Sequence, residues 1–178
     1  IENYKNTEMP IRLINLDLNY SFENIELKSN TAIEYHWNSE SNQNINFREY
    51  YLTYYPSFGE ISFGKQIISW GFADGNNPTD NINPYDFNYM FESGIDRKVG
   101  VHSIASTIYY DDLRINPVIS YDEFKHRFNS QIPLNCFIYN EDCSYEPEFG
   151  KHLEYGVDFQ YSMSDAEISI SYLNARDR

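Results

Sequence analysis

The strongest constraint on this chain is a side-chain pattern with a period of two. Across residues 11–22, Ile14, Leu16, Leu18, Tyr20 and Phe22 fall on one face, with Asn15, Asp17, Asn19 and Ser21 on the other. Residues 25–37 repeat it, setting Ile25, Leu27, Ile33, Tyr35 and Trp37 against Glu26, Lys28, Asn30, Glu34 and His36. Successive side chains of a strand point to opposite sides of its sheet, so this alternation reads as β-structure. Only Glu23 and Asn24 separate the two segments, which makes them a hairpin. Further strands are expected at 46–55, 60–70, 98–110, 113–121, 153–162 and 166–174, eight in all, and helix signals are nearly absent.

The connections between these strands alternate short and long. Short turns fall near 23–24, 56–59, 111–112 and 163–165, whereas the others run over 38–45, 71–97 and 122–152. Connections as long as the last two are functional or exposed in a folded domain. Outer-membrane barrels show this asymmetry, with tight periplasmic turns and long extracellular loops. A soluble sandwich has no reason to place every long loop at one end.

Composition fits the same geometry. The 17 Tyr, 12 Phe and 2 Trp exceed what a compact core of 178 residues needs, so most rings belong at surfaces. Tyr20, Phe22, Tyr54, Tyr55, Phe58, Tyr109, Tyr110 and Tyr161 adjoin the short turns. Tyr35, Trp37, Trp70, Phe72, Tyr121, Tyr155 and Tyr172 lie toward the opposite strand ends. Two interfacial girdles are expected, with the β-propensity of tyrosine as the plainer explanation. No run approaches the roughly 20 apolar residues of a membrane helix. The mean hydropathy of -0.63 remains compatible with a barrel, whose strands are polar at every second position. A formal charge of -14 argues against nucleic acid as a partner, because phosphate binding depends on a basic surface.

The expected fold is an all-β, antiparallel up-and-down transmembrane β-barrel of the bacterial outer membrane, with residues 1–178 forming one segment of about eight strands. Short periplasmic turns put both chain ends on the extracellular side, so the segment is expected to be a fragment of a larger barrel. Its partners would be the lipid bilayer and lipopolysaccharide. Asp17, Lys28, Glu34, His36, Arg114, Glu154, Asp158 and Glu167 share the non-lipid face and are pore-lining candidates, although a charge ladder between strands accounts for them equally well. Lys65 is assigned to the same lining, because a cation facing lipid at mid-membrane costs about 2–4 kcal/mol. Strict alternation then turns Ile61 and Phe63 inward; the rival for Lys65 is a snorkelling residue at a strand end.

Other chemistry is thinly signalled. Cys136 and Cys143 have six residues between them in an Asn/Glu/Tyr-rich loop, read as a stapling disulfide in preference to two free thiols. Asp74, Asp80 and Asp86 supply the oxygen ligands calcium prefers, but turn formation explains the same residues. The histidines His36, His102, His126 and His152 stand in separate segments without a recognised catalytic pattern. No catalytic role and no cofactor is expected.

Residues 48–87 carry several spaced elements in order: Arg48-Glu49-Tyr50-Tyr51-Leu52, then Gly64-Lys65-Gln66 with Trp70-Gly71, then Asn83-Pro84-Tyr85-Asp86. This stretch resembles a family of large outer-membrane barrels of unknown function, distantly akin to alginate-export and other porin-like proteins. In that family an R/N-E-A-Y-L strand is followed by G-R-Q-x-x-x-W-G and a loop ending in N-P-x-D. The likeness continues faintly through most of the chain, but Lys65 stands where the family usually has Arg, which weakens any bidentate anion recognition there. It implies a porin-like channel or transport barrel for an unknown small or oligomeric solute. A surface adhesion barrel within a membrane complex is one alternative; a secreted carbohydrate-binding β-sandwich is the other.

Overall fold

The structure is a computed structural model that describes residues 10–36, 43–71, 81–89, 91–92, 94–123, 126–127 and 151–176. Eight strands form, at Ile11–Phe22 (β1), Ile25–Tyr35 (β2), Gln43–Tyr54 (β3), Gly59–Gln66 (β4), Val101–Tyr110 (β5), Leu113–Asp122 (β6), His152–Ser162 (β7) and Glu167–Asn174 (β8). They make one antiparallel sheet in sequential order, each strand paired with the next. The four short turns close alternate pairs, and Glu23 and Asp111 adopt positive φ within two of them (50° and 49°). Asp tolerates that left-handed geometry better than most residues, whereas Glu23 adopts it without such a preference. Among the described residues β1 and β8 do not pair with each other, so the sheet is open and not a closed barrel.

The two faces have opposite character, and their burial is inverted relative to a water-soluble domain. One hydrogen-bonded register row runs Tyr20, Leu27, Leu52, Phe63, Ile104, Ile119 and Tyr155 across β1 to β7. Every member is between 39% and 68% exposed. A second row joins Ile108, Ile115, Phe159 and Ile170 across β5 to β8, and a third joins Tyr110, Leu113, Tyr161 and Ile168. The polar face, in contrast, contains Glu34, Asn46, Arg48, Thr53, Gln66, Ser103, Ser120, Glu154, Asp158 and Gln160, all buried.

Two register shifts set which residues reach the polar face. In β1 the shift falls between Arg12 and Ile14. In the β2–β3 pairing Asn30 faces Glu49 and Thr31 faces Phe47, leaving Arg48 as the extra residue of a bulge. Ile45 and Phe47 are exposed on the apolar side before the bulge, and Tyr50, Leu52 and Tyr54 after it.

The described residues of the β4–β5 connection (67–71, 81–89, 91–92 and 94–100) pack on the polar face. This segment contains two short 3-10 turns, Phe87–Tyr89 and Gly94–Arg97. Its small apolar core consists of Trp70 and Ile82 against Val101 and Val118, with Ile68, Ala105 and Leu173 packed beside them.

Candidate functional site

The site is the polar face together with the segment folded onto it. Asn83, 1% exposed, fastens that segment at three backbone points. Its side-chain amide donates to the carbonyls of Gln66 (3.1 Å) and Val99 (2.9 Å), and its Oδ1 accepts from the Ile68 N–H (2.7 Å). The Val99 N–H donates to the Pro84 carbonyl (2.8 Å), and the Asp86 N–H to the Arg97 carbonyl (2.7 Å), which pairs the two limbs of the segment.

The wall of β1 to β3 holds the other end. Arg48 donates from Nη1 to Asp96 Oδ1 (3.2 Å) and from Nη2 to the Ile95 carbonyl (3.1 Å). Arg12 donates to the Asp96 carbonyl (2.7 Å), approaches Glu34 at 3.5 Å and stacks its guanidinium 3.6 Å from the Tyr89 ring centroid. Asn46 donates to Glu34 Oε1 (2.9 Å). Glu49, the neighbour of the bulged Arg48, accepts the Ile67 N–H at 2.8 Å. An unbroken strand would send Arg48 and Glu49 to opposite sides; the bulge lets both grip the same segment.

On the opposite side of the wall, Gly156 in β7 provides the seat for Trp70. A Cβ there would lie 2.7 Å from Trp70 Cη2 and 3.0 Å from Leu173 Cδ1. Trp70 is 2% exposed and belongs to the interior, which corrects its assignment to an aromatic girdle. Its strand was expected to run to residue 70, but β4 ends at Gln66 and the chain turns inward there. Tyr109 likewise points to the polar side, where its hydroxyl donates to Glu60 (2.7 Å).

Most of the expected lining residues lie on this face. Asp17 accepts from the Asn30 amide, and Lys28 pairs with Glu26 at 3.2 Å. Glu154 accepts the Arg176 N–H (3.2 Å). Asp158, 0% exposed, accepts from Gln160 Nε2 (2.6 Å), Ser169 Oγ (2.7 Å) and Asn116 Nδ2 (3.3 Å). Arg114 meets Gln160 Oε1 at 3.4 Å. His36 follows the end of β2, and Glu167 is exposed at the start of β8 beside a short turn.

Lys65 departs from the expectation. The register row Tyr50, Lys65, His102 places it on the apolar side, next to the row that contains Phe63. Strand β4 pairs on both sides without a register shift, so Ile61, Phe63 and Lys65 share one face, and it is not the polar one. Lys65 stands one residue from the strand end and donates to the Phe47 carbonyl (2.6 Å). Beside it the Tyr50 hydroxyl and His102 Nε2 are 2.8 Å apart, and His102 Nδ1 lies 2.8 Å from Asp122.

Of the calcium candidates, Asp74 and Asp80 lie outside the described residues, as do Cys136 and Cys143. Asp86 accepts both the backbone N–H and the side-chain amide of Asn88 and lies 3.7 Å from Arg127. Burial pushes its carboxyl above the ordinary aspartate value, and burial likewise raises the Tyr89 phenol. His126 accepts the Tyr85 N–H at Nδ1 (2.8 Å) and stacks on the Tyr85 ring. No group of three metal-ligating side chains occurs among the described residues.

No family model, curated protein or solved structure matches this chain. The functional reading therefore rests on the arrangement of its own residues. Arg12, Asn46, Asn83 and Gln160 were not singled out from sequence. Asn83 had a signal as the first residue of the Asn-Pro-x-Asp element, and Gln160 one in the alternation that sets it beside Glu154 and Asp158.

Proposed function

We propose that this chain is part of a porin-like outer-membrane barrel that passes or binds a small or oligomeric solute, and that it has no enzymatic role. One observation carries the reading: the sheet exposes its apolar face in continuous rows and buries its polar face. Soluble monomers rarely expose contiguous apolar patches beyond a few hundred Å². A membrane barrel requires this inversion, because lipid replaces water on the outside. A strand of 12 residues such as β1 extends roughly 40 Å at about 3.3 Å per residue, and a tilt of about 40° leaves a rise near 30 Å. That suffices for an apolar band of about 25 Å with aromatic borders.

Among the described residues the outer edges of β1 and β8 are unpaired, which favours a barrel with more strands than these eight, since an exposed edge is a template for further pairing. The segment between β4 and β5 would then narrow the water-filled interior from one wall. A secreted sandwich is less favoured, because it would need a second sheet over the apolar rows.

Heat modifiability on SDS gels tests the reading, using protein from washed membranes. The expected result is membrane-fraction protein whose mobility shifts on boiling. Soluble protein with no shift would overturn the barrel in favour of the sandwich.

A further inference from the structure

The polar face contains a cavity of about 300 Å³ at the short-turn side of Trp70, lined by residues that include Trp70, Ser106, Thr107, Arg114, Asn116 and Gln160. Its charged lining groups are Glu60 and Arg114. Glu60 is engaged by the Tyr109 hydroxyl at 2.7 Å. Arg114 is exposed and, among the described residues, forms no ion pair. That is unexpected in a chain of formal charge -14, where carboxylates are abundant.

The wall behind Arg114 is built to hold it in place. Buried Asp158 takes up amide donors of both Gln160 and Asn116 (2.6 and 3.3 Å), which leaves Gln160 Oε1 turned toward Arg114 Nη1 at 3.4 Å. The guanidinium carbon lies 5.8 Å from the Tyr109 ring centroid, a second constraint on its orientation. A guanidinium has five N–H donors in a planar fork, so one contact to Gln160 leaves the geometry for a bidentate carboxylate available. The Thr107 hydroxyl and the Asn116 amide border that position with groups that both donate and accept.

We propose that this cavity is a binding subsite for a small hydroxylated carboxylate. The carboxylate pairs with Arg114, and the solute hydroxyls meet Thr107 and Asn116. Asp158 acts as a positioning residue through Gln160. The volume lies at the small end of ligand pockets and suits a solute of about a dozen heavy atoms. This inference rests on the proposed water-filled interior, which would give a solute access to the polar face.

The test uses a matched series of gluconate, glucose and glucosamine, titrated by calorimetry against the full-length protein extracted from membranes in detergent, with tryptophan fluorescence as a second readout. Gluconate is expected to bind about tenfold or more tightly than glucose, and glucosamine more weakly still. Arg114→Gln should weaken gluconate about tenfold while leaving glucose unchanged; Arg114→Lys, which keeps charge and loses the fork, should fall between. Equal binding of gluconate and glucose, full gluconate affinity in Arg114→Gln, or no binding by any of the three would overturn the subsite. Heat modifiability of the same preparation separates the two ideas. A chain that keeps the gel shift but fails to bind overturns the subsite alone, whereas loss of the shift in the parent chain overturns the barrel.

Discussion

Single residues show how local geometry was fitted to the inward-folded segment. Gly156 is the clearest case, because its missing side chain is the space that the Trp70 ring fills. Gly156→Val would place its Cβ against the Tyr172 backbone carbonyl and drive its branched carbons into the Trp70 ring and into Leu173. The expected cost is about 1–3 kcal/mol of overpacking, read as a lower urea midpoint of tryptophan fluorescence in lipid vesicles. Arg48 is the counterpart on the opposite wall: it is 6% exposed and holds both Asp96 and the Ile95 carbonyl. Arg48→Gln removes charge-assisted bonds without leaving a large void. Amide exchange in residues 94–99 should accelerate about tenfold, with strand amides unchanged. Equal exchange in both chains would show that Arg48 does not hold the segment.

At the scale of elements, the inner segment carries its own pH dependence. Burial raises the Asp86 carboxyl above the ordinary value of 3.8, which means that the docked segment binds that proton more tightly than the released one. Below 3.8 both states are protonated and the contribution is complete. As pH rises, the released aspartate ionises first, and the contribution is lost once pH passes the raised value. Docking should therefore be tighter in mild acid than at neutrality, and Asp86→Asn should flatten the dependence. Trp70 fluorescence across that range is the measurement, with the unchanged chain and the variant run side by side. An identical slope in both would assign the pH dependence to another group. The strands are expected to hold throughout, since each is secured by ladder bonds to its neighbours.

For the whole molecule, the decisive quantity is what the apolar rows face. Ile104 sits in the middle of the longest row, flanked by Phe63 and Ile119. If lipid lies outside, Ile104→Arg should cost about 2–4 kcal/mol in reversible urea unfolding from vesicles. In water an exposed arginine would change stability by no more than about 0.5 kcal/mol, so the size of the effect discriminates the environments.

Much of the sheet was legible in the chain because alternation and turn spacing are local. The pattern Ile14, Leu16, Leu18, Tyr20, Phe22 identifies a strand with two unlike faces, and Glu23-Asn24 marks its hairpin, whatever lies beyond. Strand order followed from the short turns, and the placing of all long connections at one end followed from the even alternation. The sequence also separated most of the polar-face residues, including Asp158 and Arg114, since parity alone sorts them. Parity failed at the interruptions. Arg12 shares the parity of Ile14, and a bulge turns it inward; Arg48 and Glu49 reach one side only because of another bulge. Lys65 followed parity faithfully; its expected inward placement had come from the cost a charge would have in lipid, and the Phe47 carbonyl is the acceptor it uses on the apolar side. The destination of Trp70 and Asn83 required contacts between segments far apart in the chain, with Gly156 and Val99, which no local period encodes. Alternation determines which face a residue prefers; tertiary contact alone decides what covers that face, because packing depends on distances between residues that the chain order does not bring together.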